Sequence, residues 1–476
     1  GSVVPQSAQS AMKVSDFAAN HPTLDRICRP LGMYHVYTSV WFSAIYLLLF
    51  ISLIGCIVPR IVSHAKALRR QPPRVPARLD RLAAHASMTT SASAAEVSQR
   101  AQQWLKSHRY RFVVDDDGSL RAEAGRHRET GNLVFHIFLV LVLVGVGWNT
   151  LWGFKGTSVV VEGQGFSNSI TQYDEFKAGA MVDTDNLTPF SMKLRKFVVS
   201  FETGTVQRGA ARSFDATVDL TMGGKTQTRD LQVNHPLRIG STKVHLLGHG
   251  YAADVVVRDG DGKVAYSGPV VFLPQDANFK SVGVIKAPDA RPDRLAFQGF
   301  FLPTGAITAG GPTSLFPDAL NPQLYLTAWY GKPTVETGVP LNIYTLDTTG
   351  LTQVTNGKDK ARFVLSPGQR YKLPDGKGSI QFNGWQRWAK IQVSQNPGLP
   401  LTFLSVVLSV AGLCVSLFSR SRRVWVRTIP GDDGLRVEIG GLDRSDSRSG
   451  AVDDVNSLLA ALHGDSMSGD VEEEHS

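Results

Sequence analysis

The stretch that decides the fold is G-N-L-V-F-H-I-F-L-V-L-V-L-V-G-V-G-W-N-T-L-W-G-F, which occupies residues 131–154. It carries no formal charge, and at about 1.5 Å per residue it can cross a hydrocarbon core of about 30 Å. Arg126 and Arg128 precede it, while Trp148 and Trp152 mark its far end, where aromatic rings prefer the membrane interface. The stretch therefore predicts a transmembrane helix.

The one ionisable side chain inside this stretch is His136, placed roughly 7 Å from the start of the apolar segment. A histidine at that depth loses hydration and needs a partner. Its neutral imidazole is a good axial ligand for haem iron. A hydrogen bond to a neighbouring helix, or a position close enough to the interface to stay wet, is the competing interpretation, and this stretch taken alone favours it. The residues alone leave these interpretations open.

Two further apolar stretches predict transmembrane helices over 36–58 and 397–419. Residues 59–131 contain 14 Lys/Arg against 7 Asp/Glu, and a cluster of arginines follows the last span. The positive-inside rule assigns both basic regions to the cytoplasm, and the chain then starts outside. A chain that starts outside needs something to translocate it, so we expect a signal-anchor helix before Gly1.

The predicted organisation is a membrane protein with α-helical spans and a large all-β, antiparallel and sandwich-like extracytoplasmic domain. The β character follows from short alternating runs separated by Gly/Asp turns. The segments are an extracytoplasmic N-terminal segment 1–35, helix 36–58, a cytoplasmic loop 59–130 with a small helix and hairpin, helix 131–154, the β domain 155–396, helix 397–419, and a mostly disordered cytoplasmic tail 420–476.

Local signals inside the cytoplasmic loop are specific. Ser93-x-x-Glu96 is a capping-box pattern that predicts the start of a helix. Three consecutive aspartates, 115–117, lie between two short strand patterns, where a solvated turn is favoured over a metal site because their spacing does not suit ligands. The Pro-rich segment 71–76 predicts a linker. The acidic, Ser/Gly-rich composition of the tail predicts disorder outside a short apolar patch, 455–462.

Most familiar chemistries have no support in the residues. The chain has no nucleophile elbow, P-loop, Rossmann fingerprint or zinc-protease helix, so it contains no self-contained active site. Its three cysteines, Cys28, Cys56 and Cys414, form no C-x-x-C motif. Basic clusters beside apolar spans favour a membrane topology signal over nucleic-acid binding.

Several other histidines are candidates for binding. His245 and His249 are four apart and would share a face on a regular strand, and with His235 they offer a metal site; packed or exposed strand histidines are the competing interpretation. His35 and His64 flank the first visible span on opposite sides. Either one is placed to touch a porphyrin propionate or a lipid phosphate, or to remain a wet interfacial histidine.

The order of motifs resembles the ResB family, also called CcsB, of the system II cytochrome c maturation machinery, and the long acidic tail resembles its actinobacterial form. The matching pieces are G-S-V-V-P-Q (1–6), Y-T-S-V-W-F-S-A-I-Y-L-L-L-F-I-S-L-I-G-C (37–56), R-H-R-E-T-G-N-L-V-F-H (126–136), G-F-K-G (153–156), E-G-Q-G-F-S-N (162–168), P-F-S-M (189–192), V-N-H-P-L (233–237), G-H-G-Y-A (248–252), G-F-F-L-P-T (299–304), N-P-G (396–398) and R-R-V-W-V-R (422–427).

The resemblance implies a multi-pass protein of the plasma membrane with four membrane helices. It implies a subunit of a haem lyase, the cytochrome c synthase, that works with a polytopic ResC/CcsA partner to export haem and attach it to apocytochrome c. His136 matches the family's membrane histidine. Its implied role is an axial ligand to the iron of haem b, held transiently at a site shared with the partner.

Two other functions stay open at this stage. One alternative is a non-catalytic scaffold or chaperone whose β domain holds apocytochrome c while the partner handles haem. The third alternative is a transmembrane sensor, although no kinase, cyclase or DNA-binding module follows the last span.

We predict that a membrane-impermeant thiol reagent labels Ser241→Cys but not Ser87→Cys in intact cells. Both variants are made in a background whose three native cysteines are replaced by serine. Residue 241 lies in the predicted outer domain and residue 87 in the basic, inner loop. Labelling of both residues before the cells are permeabilised would contradict the topology.

Overall fold

A computed structural model of the chain describes residues 3–7, 11–333, 345–431, 434–443 and 449–463. The chain divides into two compact units, a helical unit of Gly1–Gly147 with Gly398–Ser476 and a β unit of Trp148–Pro397. The described helices are α1 (Ala11–Asn20), α2 (Pro22–Cys28), α3 (Val40–Arg69), α4 (Ala94–Ser107), α5 (His127–Trp152), α6 (Leu399–Phe418) and α7 (Ser449–His463).

The described strands follow in chain order. They are β1 (Ala84–Thr90), β2 (Arg111–Val114), β3 (Leu120–Ala124), β4 (Phe154–Val161), β5 (Gly165–Ser167), β6 (Glu175–Ala178), β7 (Ser191–Phe201), β8 (Ala211–Met222), β9 (Lys225–Gln232), β10 (Leu237–Ile239), β11 (Thr242–Arg258), β12 (Val264–Pro274), β13 (Ser281–Ala287), β14 (Arg294–Leu302), β15 (Gly305–Thr308), β16 (Gly311–Ser314), β17 (Gln323–Gly331), β18 (Thr352–Gln353), β19 (Thr355–Asn356), β20 (Asp359–Lys360), β21 (Arg362–Leu365), β22 (Arg370–Lys372), β23 (Ser379–Gln395), β24 (Arg422–Gly431) and β25 (Gly434–Asp443).

Among the described residues, α3, α5 and α6 are long and apolar enough to cross a membrane. Their ends differ from the predicted spans. The helix α3 starts at Val40, because the Ser39 hydroxyl accepts a hydrogen bond from the Phe42 N–H. It continues through Pro59 to Arg69, where the predicted span ended at residue 58. In this extension His64 bonds to Glu129 and Thr130 of α5, a contact that helps to offset the helical hydrogen bond lost at Pro59.

The helical unit contains a five-stranded antiparallel sheet assembled from two distant parts of the chain. Its strand order is β1-β25-β24-β3-β2, so the two adjacent strands from the tail lie between strands from the loop after α3. The helix α4 begins with the predicted capping box, in which Ser93 and Glu96 bond reciprocally. It packs with α7 over a core that includes Trp104, Val437 and Leu458.

The prediction of a mostly disordered tail is wrong for the described part of 420–476. Residues 422–431 and 434–443 form β24 and β25, and 449–463 form α7. A half-buried polar cluster holds α7 to the sheet, because Arg422 bonds to the Asp454 carboxylate at 2.8 Å and the Tyr110 hydroxyl donates to the same carboxylate at 2.6 Å. Burial raises the pKa of Tyr110. The predicted disorder of 444–448 and 464–476 lies outside the described residues.

The Pro-rich segment 71–76 is a strap on the sheet as well as a linker. Its carbonyl oxygens accept hydrogen bonds from side chains of the sheet: Pro72 from Arg121 at 3.2 Å and Pro73 from Trp425 at 3.0 Å. Prolines lack an N–H but keep the carbonyl, so the segment can satisfy sheet donors without pairing as a strand.

The β unit confirms the predicted antiparallel, sandwich-like domain. Its largest sheet follows the order β18-β17-β14-β13-β12-β11-β23-β4-β6, with β10, β21 and β22 paired to its side. A second sheet, β5-β7-β8-β9, contributes Phe166, Leu194 and Val218 to a core shared with Val244 and Ile391 of the large sheet. A second core lies within the large sheet and includes Phe297, Phe301 and Phe382.

A β-bulge in β11 changes which face its residues occupy. The pairing of β11 with β23 shifts register between Leu246 and Gly248, so two residues of β11 oppose one step of β23. Before the bulge Val244 and Leu246 point into one core, and after it the odd-numbered residues His249 and Tyr251 are buried. His245 and His249 therefore do not share a face, and the assumption of a regular strand is wrong here.

His249 lies among aromatic rings in the interior of the β unit. Its ring stacks on Phe279 with centroids 4.6 Å apart, and it also contacts Phe197 and Phe214. Burial, and then the positive charge of Arg387, lower the pKa of His249 to about 4. In the unfolded chain this imidazole is protonated below about pH 6.5. Below that pH folding must remove the proton, and this lowers the free energy of unfolding.

We expect the stability of the β unit to fall as the pH drops from about 6.5 towards 4. The folded pKa of His249 lies below its unfolded value, so the stabilisation is complete above pH 6.5, and about 2 kcal/mol of it is lost by pH 5. Hydrogen exchange of β11 peptides in the full chain, corrected for the intrinsic rate, measures this loss. His249→Phe should abolish most of it and the exposed-histidine control His235→Gln should not. An unchanged pH response in His249→Phe would contradict this account.

Candidate functional site

Small residues let α5 and α6 pack closely in the helical unit. A Cβ on Gly131 would lie 2.6 Å from the Gly412 carbonyl oxygen, and one on Gly412 would lie 2.8 Å from the Phe135 nitrogen. The Ser409 hydroxyl donates to the Phe135 carbonyl at 3.2 Å. Such small-residue contacts are typical of membrane helix pairs. Gly145 belongs to this contact, whereas Gly147 has open space beside it.

His136 lies on α5 and its ring is oriented by its own helix. The Nδ1 atom is 2.7 Å from the Asn132 carbonyl oxygen, and because a carbonyl can only accept, Nδ1 is the donor. In the neutral imidazole the Nε2 atom then carries the free lone pair. Metal-binding histidines are commonly held this way, with the second ring nitrogen bonded to a carbonyl. No described residue forms a hydrogen bond with Nε2, so His136 fits an iron ligand.

The face of α5 that carries His136 also contacts α3. The His64 imidazole bonds to Thr130 Oγ1 at 2.9 Å and lies 3.3 Å from the Glu129 carboxylate. A small cavity of about 230 Å³ lies here, lined by Arg60, Ser63, His64, Ala67, Glu129, Asn132 and Leu133. Glu129, Asn132 and His136 are spaced at i, i+3 and i+7, so the cavity and His136 share one helix face.

A larger cavity of about 430 Å³ adjoins the small one and shares His64, Ala67 and Glu129 with it. It lies where the end of α3 and the start of α5 meet residues that follow α6. Its charged lining comprises four arginines and two glutamates: Arg70, Arg126, Arg128, Arg423, Glu123 and Glu129. This arginine-lined cavity was not predicted, because its arginines come from three separate parts of the sequence.

The other candidate ligands do not come together. His235 is exposed in a turn, His245 and His249 are separated by the bulge in β11, and no group of three or more His, Cys, Asp or Glu in the described ranges is arranged to hold a metal. His35 is exposed in the turn before α3. His64, by contrast, is bonded to α5 and lines both cavities.

The aspartates 115–117 form the predicted turn. Asp117 accepts hydrogen bonds from the N–H and hydroxyl groups of Ser119, which hold the pKa of that carboxyl below its ordinary value. Asp115 pairs with Arg121 at 2.8 Å. Both carboxylates therefore bond to residues of the β2–β3 hairpin, Ser119 and Arg121.

The chain is similar to proteins of one family along nearly its whole length. The model of the ResB-like family matches residues 1–452. A Synechococcus sp. (strain JA-3-3Ab) protein named "Cytochrome c biogenesis protein CcsB" is 25% identical over 439 residues, which covers 89% of this chain and 78% of the relative. Proteins of the same name from Nostoc sp. (strain PCC 7120 / SAG 25.82 / UTEX 2576) and Synechococcus sp. (strain WH7803) are 23% and 24% identical, cover 93% of this chain, and are themselves covered to 83% and 87%. With a family model that spans nearly the whole chain and three membrane-length helices in the fold, this membrane protein belongs to the ResB-like family.

Proposed function

We propose that this chain acts in cytochrome c biogenesis as the haem-handling subunit of a system II cytochrome c synthase. A role in cytochrome c biogenesis is supported by the family and by the names of its relatives. The haem-handling role rests on one observation, the orientation of His136 on α5, with Nδ1 bonded to Asn132 and Nε2 free. Haem is here the cargo, and its iron is the atom that Nε2 would bind.

The surroundings of His136 suit a transient ligand. In a membrane an imidazole with one nitrogen unsatisfied costs free energy, and an iron ion supplies the missing partner without adding a charged side chain. The helices α5 and α6 are packed by small residues, so the backbone that carries His136 is held firmly. The nearby His64 has both ring nitrogens engaged, by Glu129 at 3.3 Å and Thr130 at 2.9 Å. Because haem iron takes two axial ligands, we assign the second ligand to a ResC/CcsA partner.

The proposed topology puts His136 near the cytoplasmic leaflet and the β unit outside, in the plasma membrane. Haem would then enter from the cytoplasm, and the partner would pass it outward to apocytochrome c. This chain supplies binding and orientation, and the covalent attachment is assigned to the complex. The scaffold alternative, in which the β unit holds apocytochrome c and His136 merely packs, differs in its requirement for His136.

We expect His136→Ala to lower the haem content of the purified complex about tenfold or more, and to lower cytochrome c maturation with it. The variant should still insert, because His136 bonds only to its own helix. Haem absorbance and haem staining of a reporter cytochrome measure the two effects. Added imidazole should partly restore both, since it can occupy the vacated iron position.

The matched control is His127→Ala, which removes an exposed histidine from the first turn of the same helix. It should keep wild-type haem content and maturation. Wild-type haem content in His136→Ala, at equal protein level, would end the haem-ligand proposal and favour the scaffold. The haem-ligand proposal would also be contradicted if His136→Ala lost maturation, was not rescued by imidazole and kept an unchanged haem spectrum.

A further inference from the structure

The arginine-lined cavity carries more positive charge than its carboxylates neutralise. Four arginines and two glutamates line this cavity of about 430 Å³. One arginine is already used: Arg126 pairs with Glu123 at 3.3 Å and donates to the Ala67 carbonyl at 2.7 Å. Glu129 is engaged with His64 at 3.3 Å. Both carboxylates therefore have partners already.

Three guanidinium groups are left for a ligand. The side chains of Arg70, Arg128 and Arg423 form no hydrogen bond or ion pair with any residue that the structure describes. They reach the cavity from the end of α3, the first turn of α5 and the start of β24. Arg70 and Arg128 are exposed and Arg423 is half-buried, so the three charges are open to solvent and attract an anion to one concave surface.

The chemistry of this lining selects an oxyanion. A guanidinium group presents a planar fork of donors that matches a carboxylate or a phosphate. The first turn of α5 adds the positive end of a 26-residue helix beside Arg128. A carboxylate or phosphate in the cavity would thus meet charge and directed donors together.

The position of the cavity distinguishes between sources of that oxyanion. The small cavity joins it through His64 and reaches Asn132, the residue whose carbonyl orients His136. From Asn132 to His136 the helix rises by about 6 Å. A ligand with a flat apolar body at His136 and carboxylates at one edge would fill both regions.

We infer that the arginine-lined cavity is an oxyanion site that receives the two carboxylates of haem while His136 binds its iron. This inference rests on the proposed function, since it takes haem as the cargo. It adds an orientation, with the carboxylate edge towards Arg70, Arg128 and Arg423 and the apolar edge towards the membrane interior.

The test compares haem with its dimethyl ester, which keeps the iron and lacks the carboxylates. The full chain with its partner is placed in phosphatidylcholine nanodiscs, and the affinity for each compound is measured by absorbance titration. We expect the wild type to bind haem at least tenfold more tightly than the ester. Arg128→Gln/Arg423→Gln should lose about tenfold in haem affinity and none in ester affinity, and it should keep the axial-ligand spectrum.

The matched control is Arg69→Gln/Arg74→Gln, which removes the same charge from exposed neighbours that do not line the cavity. It should keep the preference for haem. Equal wild-type affinities for haem and ester, with binding still dependent on His136, would overturn the carboxylate site and leave the proposed function intact. Binding of both compounds independent of His136 would refute the proposed function itself.

A second arm tests a lipid headgroup as the source of the oxyanion. The titrations are repeated in phosphatidylglycerol nanodiscs, and retained lipid is counted by native mass spectrometry. The inference expects no retained phosphatidylglycerol that depends on Arg128 and Arg423, and no loss of the preference for haem. Retention of one lipid that disappears in the double variant, together with loss of that preference, would assign the cavity to a phospholipid phosphate instead.

Discussion

The close contact between α5 and α6 is the constraint on which the helical unit depends. Gly131 and Gly412 bring the two backbones together, and the chain passes directly from β3 into α5 and from α6 into β24. The helix contact therefore delivers β3 and β24 side by side at its end. At the junction, Gly125 leaves no room for a side chain against the Arg420 backbone. Two segments about three hundred residues apart in the chain thus complete one sheet.

This dependence explains what could be predicted from the sequence. The membrane helices, the capping box at Ser93 and the antiparallel β unit each follow from a local pattern, and all were confirmed. The place of the tail in the sheet could not be predicted, because β24 and β25 pair with each other locally but have β3 and β1, more than two hundred residues away, as their outer neighbours. The bulge in β11 was hidden for a related reason, since a one-residue register shift leaves no periodic signal.

The candidate site also has one part that could be predicted from the sequence and one part that could not. His136 stands out because it is the one ionisable group in an apolar stretch. It also ends a segment, 126–136, that resembles a motif of the ResB family. The arginine-lined cavity has no such signal. Basic residues beside a membrane span are expected from topology alone, so Arg128 and Arg423 look no different in the sequence from Arg69. Only the fold shows that some of them line one concave surface while others do not.

The energetics of burial connect the two parts of the site. A neutral imidazole with Nδ1 bonded inside its own helix can enter a membrane at modest cost, but an unsatisfied Nε2 still costs about 1–3 kcal/mol until it finds a partner. At the start of α5, three arginines that line the cavity have no hydrogen-bond or ion-pair partner among the described residues, so their positive charge is not neutralised. One ligand with a metal at its centre and carboxylates at its edge would relieve both. Separate ligands would each have to lose translational freedom for a smaller gain, so the arrangement favours a single amphiphilic molecule over an ion and a lipid bound independently.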